Sequence, residues 1–595
     1  MPTVNFTATQ AAQQIDRAAL AQVPGWVPAL GAPVTLSYAY RASAQQSDFG
    51  LPAEMGGFMR FTSSQIAAGE LAMALWSDVA NIRLTRVGTG ASGDGAYSNS
   101  ADFLLGNWTT GVASSYLSGY GTFAWESSGG ATARASRVWI DGTRPANLDP
   151  LPTNSGLELF IHEIGHGIGL SHPGTYDAGP GRTLTYAANA EYVQDTQQYT
   201  IMSYFSESNT GADYGGRLPT TPMLHDIAAV QLMYGANTAT RAGNTTYGFN
   251  SNADRAVFAL SSAVDRPVFT IWDSGGTNTL DLSGFSANQT ISLLPGSFSD
   301  VNGLRGNIAI AFGTTIHNAR GGSGRDTITG NDADNAITGG VGNDTLDGRG
   351  GSNVSLYSGA AKNYAVTLTA GSPTITVQDK TGADGTDSLT NIQRVQFTDQ
   401  TIDTTWFGKT ASLSSAELTS LTQLYIASFN RAPDALGLNY WGSQFKDGMS
   451  LGAIAGSFFV QPEAAAAYPA GQPTETFVNA VYNNVLGRSA DAAGLGYWSG
   501  QLANGGVGKN TFLLALINGA IGPDLANLAN KVTVGSHFAL SQGLSDAAWA
   551  KTVMAGVNGT AASVTAANAQ TDGFAATAAT VGGAELVVKI LGIVA

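Results

Sequence analysis

The chain of 595 residues contains no cysteine. That absence excludes disulfides, thiolate-bound zinc, iron–sulfur clusters and cysteine nucleophiles together. Charge is also scarce, since Asp, Glu, Lys and Arg make up 12% of the chain against ~25% in an average soluble protein. Basic residues are the rarer sign. A net charge of −15 argues against nucleic acid as a partner and favours cations. No run of about 18 apolar residues occurs, so no transmembrane segment is expected. The first ten residues, Met1 to Gln10, carry neither a basic nor an apolar stretch, so no cleaved N-terminal secretory signal is expected.

What is present is apolar mass and glycine. Hydrophobic residues reach 43%, enough for real cores, and the 75 glycines point to turn-rich β structure. The length implies a multidomain chain.

Only six histidines exist, and three fall within eleven residues: His162, His166 and His172. The apolar stretch before them and the i, i+4 spacing of the first two predict a helix with both imidazoles on one face. Two imidazoles from one turn supply two corners of a zinc tetrahedron. Gly169 can take positive φ and turn the chain back, so that His172 closes as third ligand. Three protein ligands leave one position open, the pattern of a catalytic site. Glu163, next to the first ligand, is placed to act as general base towards a water on the metal.

The string HExxHxxGxxH is the metzincin signature. Thirty residues beyond it lies Met202-Ser203-Tyr204, which resembles the Met-turn of the serralysin and astacin branches, with Met202 as an apolar floor. The resemblance to serralysins, bacterial zinc proteases, extends further. Residues 65–82 look like that family's first long helix, and Leu224 to Tyr234 like the helix closing its protease domain. The resemblance implies that Tyr204 ligates zinc at rest and then swings to hydrogen-bond the oxyanion. His225 reads as structural. Residues 1–30 resemble the family's short propeptide, which would make the chain a zymogen.

Beyond Tyr234 the pattern becomes strand-like. Gly321 to Thr329, Gly330 to Thr338 and Gly339 to Asp347 repeat with period nine, the GGxGxDxUx pattern of an RTX parallel β-roll. Ile328, Ile337 and Leu346 would fill its interior. Calcium is expected between Gly322, Gly324 and Asp326 on one turn and Gly340, Val341, Gly342 and Asp344 on the next of the same side. Asn335 and Asn353 weaken the other face. Arg241, Gly243, Thr245, Asp273, Gly275 and Gly276 resemble a further serralysin calcium site. Asn278 and His317 stand where a neighbouring site needs carboxylates, so none is assigned there.

The C-terminal third is helical and repeats at an offset of 57. Tyr425, Arg431, Asp434, Gly437, Tyr440 and Trp441 return as Tyr482, Arg488, Asp491, Gly494, Tyr497 and Trp498. The Tyr-Trp pairs read as core anchors in preference to sugar-stacking platforms. The end of the chain, Glu585 followed by an apolar tail, resembles the uncleaved C-terminal signal of type I exporters.

The expected architecture is therefore a propeptide-like segment (1–30), an α+β metzincin protease domain (31–235) and an all-β RTX roll with a β cap (236–403). A helical repeat domain (404–560) and a C-terminal segment with the export signal (561–595) follow. The expected function is a secreted, extracellular, monomeric zinc endopeptidase with one catalytic Zn2+ and several structural Ca2+. Its partners would be polypeptide substrates, the type I secretion machinery and, through the repeats, a cell-surface component. Two rivals are a surface-anchored protease that processes one cell-envelope target, and a calcium-driven structural protein with a dead site.

Overall fold

The computed structural model describes residues 2, 4–16, 26, 29–44, 56–128 and 131–593. The chain divides into two compact units, residues 1–333 and 334–595. Among the described residues no single helix is long and apolar enough to cross a membrane.

The first unit begins with a mixed α/β region built on a five-stranded sheet. Its strands are β1 (Val34–Tyr40), β2 (Ile82–Arg86), β3 (Phe103–Trp108), β4 (Gly119–Ser128) and β5 (Ala131–Asp141), in the order β2-β1-β3-β5-β4. Four strands are mutually parallel and β4 runs antiparallel at the edge. The long helix Ser63–Val79 starts at a capping box between Thr62 and Gln65 and buries Ile66, Met73, Leu75 and Trp76. Each such side chain, fully buried, is worth about 1.5–3 kcal/mol. Trp76 also donates its indole N–H to the Ile161 carbonyl (3.1 Å), which ties this helix to the one bearing the histidines.

The N-terminal residues that resemble a propeptide partly lie outside the described residues (1, 3, 17–25, 27–28). Those described are tied into the unit: a helix Ala8–Ile15 buries Ala12 and Ile15, Phe6 stacks on Tyr192 at 4.4 Å, and Ser171 donates its amide to Ile15 O.

After the helix Leu224–Tyr234 come short strands, most of three residues. Thr246–Gly248, Thr279–Asp281 and Asn318–Arg320 pair in parallel, as do Thr290–Ser292 and Thr327–Thr329. The central residue of each is buried: Tyr247, Leu280, Ala319, Ile291 and Ile328. One inward side chain between two turns is what a nine-residue repeat allows, because strand side chains alternate faces.

The second unit continues with parallel strands, Ala336–Thr338 beside Val354–Leu356 beside Arg394–Gln396, and Thr345–Asp347 beside Thr386–Thr390. Thr386–Thr390, Ile375–Asp379 and Tyr364–Thr369 then form an antiparallel meander. Its outer edge is closed by the segment Val587–Leu591, parallel to Tyr364–Thr369. Thus the tail that resembles an export signal is a sheet strand, with Val587, Val588 and Ile590 buried. Lys380 Nζ holds its approach by donating to Ala578 O and Glu585 O.

The helical region between them explains its own repeat. Asp434 and Asp491 are the N-caps of Ala435–Lys446 and Ala492–Ala503, accepting from the amides of Gly437 (2.6 Å) and Gly494 (2.7 Å). A β-carbon at Gly437 would collide with the Tyr425 hydroxyl, which is why glycine follows the cap by three. Arg431 and Arg488 lie over the rings of Tyr425 and Tyr482, each at 5.8 Å. Trp441 and Trp498 pack on Phe458 and Phe512, whereas Tyr440 and Tyr497 are exposed.

Candidate metal centre

The site helix, Ser155–Gly167, starts at Asn154, whose side chain accepts from the Gly156 amide, and ends where Gly169 adopts φ +113°. His162 and His166 project from one face, and the reversal after Gly169 returns His172 to them. Among the described residues these three form the one group of His, Asp or Glu with metal-ligand spacing, their ligand atoms all within 4.8 Å of one another.

The outer nitrogen of each ring faces a carbonyl oxygen. His162 Nδ1 lies 2.8 Å from Ile201 O, His166 Nδ1 2.8 Å from Leu170 O, and His172 Nδ1 2.9 Å from Tyr176 O and 3.0 Å from Asp177 Oδ1. These acceptors suit a proton on each Nδ1, the tautomer that turns Nε2 into a metal ligand. Burial and the neighbouring imidazoles push His162 down to about 3 and His166 well below the usual range, so both rings are neutral. Yet His166 Nε2 and His172 Nε2 stand only 3.1 Å apart. Two ring nitrogens at that distance share either a proton or a metal cation. Tetrahedral ligands at ~2.0–2.1 Å from zinc sit ~3.3 Å apart, so the donor set fits that ion.

Glu163 leaves the same helix at a different angle. Its Oε2 is buried without a hydrogen-bond partner. Burial and the charge of Glu158 push its carboxyl up to about 8, with the Gly121 backbone amide working the other way. Strand β4 runs directly past it. A β-carbon on Gly119 would stand 2.5 Å from Glu163 Oε1, and one on Gly121 2.8 Å from His166 Cβ. Beneath the helix, fully buried Met202 places Sδ where a β-carbon on Gly165 would be 2.8 Å away. Tyr204 is 38% exposed, and its ring centre lies 4.4 Å from that of His172. Burial, then Glu163 and Asp177, raise its hydroxyl above the usual range, so it remains a donor.

The chain is similar to known proteins. The family described as Peptidase M10 serralysin C terminal matches residues 236–447, and a domain of unknown function, DUF4214, matches 455–520. Metallopeptidase AprA of Pseudomonas marginalis is 42% identical over 340 residues, 56% of this chain and 67% of that protein. Serralysin A of Dickeya chrysanthemi is 42% identical over 272 residues, 46% of this chain and 54% of its own. The chain belongs to the serralysin family. It spans about half to two thirds of the length of the curated relatives it matches.

Two carboxylates that support the serralysin-type site carry no sequence signal of their own. Asp226 is buried and accepts from Thr200 Oγ1 (2.5 Å), Ile201 N (2.7 Å) and Met223 N (2.8 Å). It thereby pins the turn whose Ile201 carbonyl orients His162. Asp195 accepts from Tyr176 Oη and Ser203 Oγ, both at 2.7 Å, and so joins the His172 loop to the Met202 turn. Burial pushes both acids up to about 6. Tyr120 on β4 lies on the opposite face of the sheet from Gly119 and Gly121 and packs with Trp108 and Trp139. His225 is buried against Tyr199 and Tyr192, apart from the three ligands.

The residues read as calcium ligands fall as follows. Gly275 and Gly276 pack on the backbone of Ala242 and Gly243, next to Arg241, whose φ is +50°. Thr245 Oγ1 donates to Gly243 O, and Asp273 accepts from Tyr247 Oη (2.7 Å) and Gly275 N (3.0 Å). This set is therefore brought together within the first unit. The Asn278 side chain is occupied with Thr245 N, Gly275 O and Thr315 O. In the first unit Asp326 accepts from Gly322 N (2.7 Å) and Gln289 N (2.8 Å), with Gly324 packed on Ala287. In the second, Asp344 folds back on Gly339 and its amide donates to Asp387; Gly340 and Gly342 have positive φ and Val341 is exposed.

Proposed function

We propose that this serralysin is a secreted zinc endopeptidase that hydrolyses extended polypeptides. The observation that carries the reading is the convergence of three imidazole nitrogens beside the partnerless buried oxygen of Glu163. His162, His166 and His172 would hold Zn2+, which when bound polarises a carbonyl and acidifies a water. Glu163 takes the proton of the attacking water and hands it to the departing amine, a role suited to a carboxyl whose affinity for protons burial has raised. Tyr204, kept protonated and partly exposed, donates to the oxyanion. Strand β4 ends the sheet next to Glu163, and an edge strand offers unpaired amides and carbonyls to an extended peptide.

Casein cleavage by the zinc-loaded chain, with and without a chelator and beside Glu163→Ala, tests this. Loss of at least a thousandfold in the variant is expected; equal activity in the two proteins would sink the mechanism. We further infer that the Arg241–Gly276 cluster and the glycine-rich turns take calcium, supported by the carbonyl-rich and carboxylate donor types they present. Export through the C-terminal segment, and docking to a cell surface through the repeats, complete the reading.

A further inference from the structure

Outside the metal ligands, the site helix carries one more ionisable group on the same stripe. Glu158 precedes His162 by four residues and His166 by eight, so the three side chains follow one face of Ser155–Gly167. At 1.5 Å per residue Glu158 stands ~6 Å along the axis from His162, towards the helix N-terminus. The two histidines establish which way that face looks: towards the metal centre.

Glu158 is half-buried and its carboxylate has no hydrogen-bond or ion-pair partner among the described residues. Other acids of this region differ. Glu70 bonds Tyr38 and Arg86, Asp78 bonds Arg241 and Arg255, Asp141 bonds Arg144, and Asp195 and Asp226 are held as described above. The charge of Glu158 acts on both Glu163 and Tyr204, which sets it near the two groups that meet the reacting carbonyl. A partly desolvated carboxylate without a cation is unfavourable in the free protein, and an incoming ammonium or guanidinium removes that penalty.

We propose that Glu158 forms a specificity subsite of the cleft that takes a lysine or arginine side chain of the substrate close to the bond being cut. This rests on the peptidase reading above and narrows it, since a subsite of this kind makes the protease choose basic sequences within otherwise extended polypeptides. The subsite lies on the helix that carries His162 and His166, so selection and cleavage are in register.

The test uses the zinc-loaded full chain and fluorogenic peptides that differ only in one residue, lysine or its neutral isostere norleucine. The variable residue is moved through three positions on either side of the scissile bond. At one position the wild type is expected to favour lysine about tenfold in kcat/KM, the effect of one charge-assisted contact. In Glu158→Gln that ratio should fall to about one, while Glu158→Asp, which keeps the charge, should retain part of it. Zinc content and circular dichroism establish that the variants are folded. Mapping wild-type cleavage sites in an unfolded protein by mass spectrometry provides a readout that needs no variant, with basic residues enriched at one position. A flat lysine-to-norleucine ratio in an active wild type, or an undiminished ratio in a folded Glu158→Gln, overturns the subsite alone. Failure of the zinc-loaded wild type to cut any peptide or protein overturns the peptidase reading, and the subsite with it.

Discussion

Replacing Asp226 separates the support of the metal site from the site itself. The carboxylate touches no ligand, yet it accepts three hydrogen bonds from buried donors, Thr200 Oγ1, Ile201 N and Met223 N. In Asp226→Ala each donor loses its acceptor, at about 1–3 kcal/mol apiece. Losses within one network do not simply add, so the expected destabilisation is about 3–5 kcal/mol. Asp226→Asn keeps one oxygen for the two amides and turns its Nδ2 to the Thr200 hydroxyl, which can rotate to accept, so a loss of only about 1 kcal/mol is expected. The functional consequence passes through Ile201, whose carbonyl holds His162 Nδ1 at 2.8 Å. Loosening that bond frees the ring and its tautomer, and zinc affinity should fall about 10–100-fold. Urea denaturation of the metal-free protein measures the first effect and chelator competition the second. If Asp226→Ala is destabilised but binds zinc within twofold of wild type, Asp226 does not hold His162 through Ile201.

Two further outcomes are expected. His225 is buried and neutral, with its pKa pushed by burial down to about 3. The unfolded chain takes up a proton near 6.5 that the folded one refuses, so stability is lost as pH falls from about 6.5 towards 3. His225→Phe should make that loss shallower by up to ~1.4 kcal/mol per pH unit, read from urea midpoints at pH 6, 5 and 4 with calcium held constant; parallel profiles would contradict it. A chain ending at Ala584 lacks the strand Val587–Leu591 and leaves Tyr364–Thr369 as an open edge. Faster proteolysis of the 364–390 meander and a lower unfolding temperature are expected, whereas unchanged resistance would show that the strand contributes nothing to the second unit.

Much of the centre was legible because its geometry is local. His162 and His166 face alike through helical periodicity, and Gly169 permits the reversal that returns His172. The nonapeptide strands were equally legible, since one inward residue per nine is a short-range pattern. Asp195 and Asp226 were not. A lone Asp in a loop or at a helix start has many ordinary uses, and only the approach of segments far apart in sequence reveals which donors it meets. Glu158 sat in plain view four residues before His162, but its lack of a partner is a fact of the folded surroundings. The tail was read as apolar and terminal; its parallel pairing with residues more than two hundred positions earlier has no local signature.

By itself, then, the sequence determined the spacing and facing of the three histidines, the glutamate beside them and the period of the short parallel strands. These depend on backbone repeats of 3.6, two and nine residues that neighbouring positions encode. Tertiary structure decided the acceptors that face the three imidazoles, the partners of the buried acids and the solitude of Glu158. Those depend on desolvation and on hydrogen bonds between distant segments, quantities that exist only once the chain has closed around them.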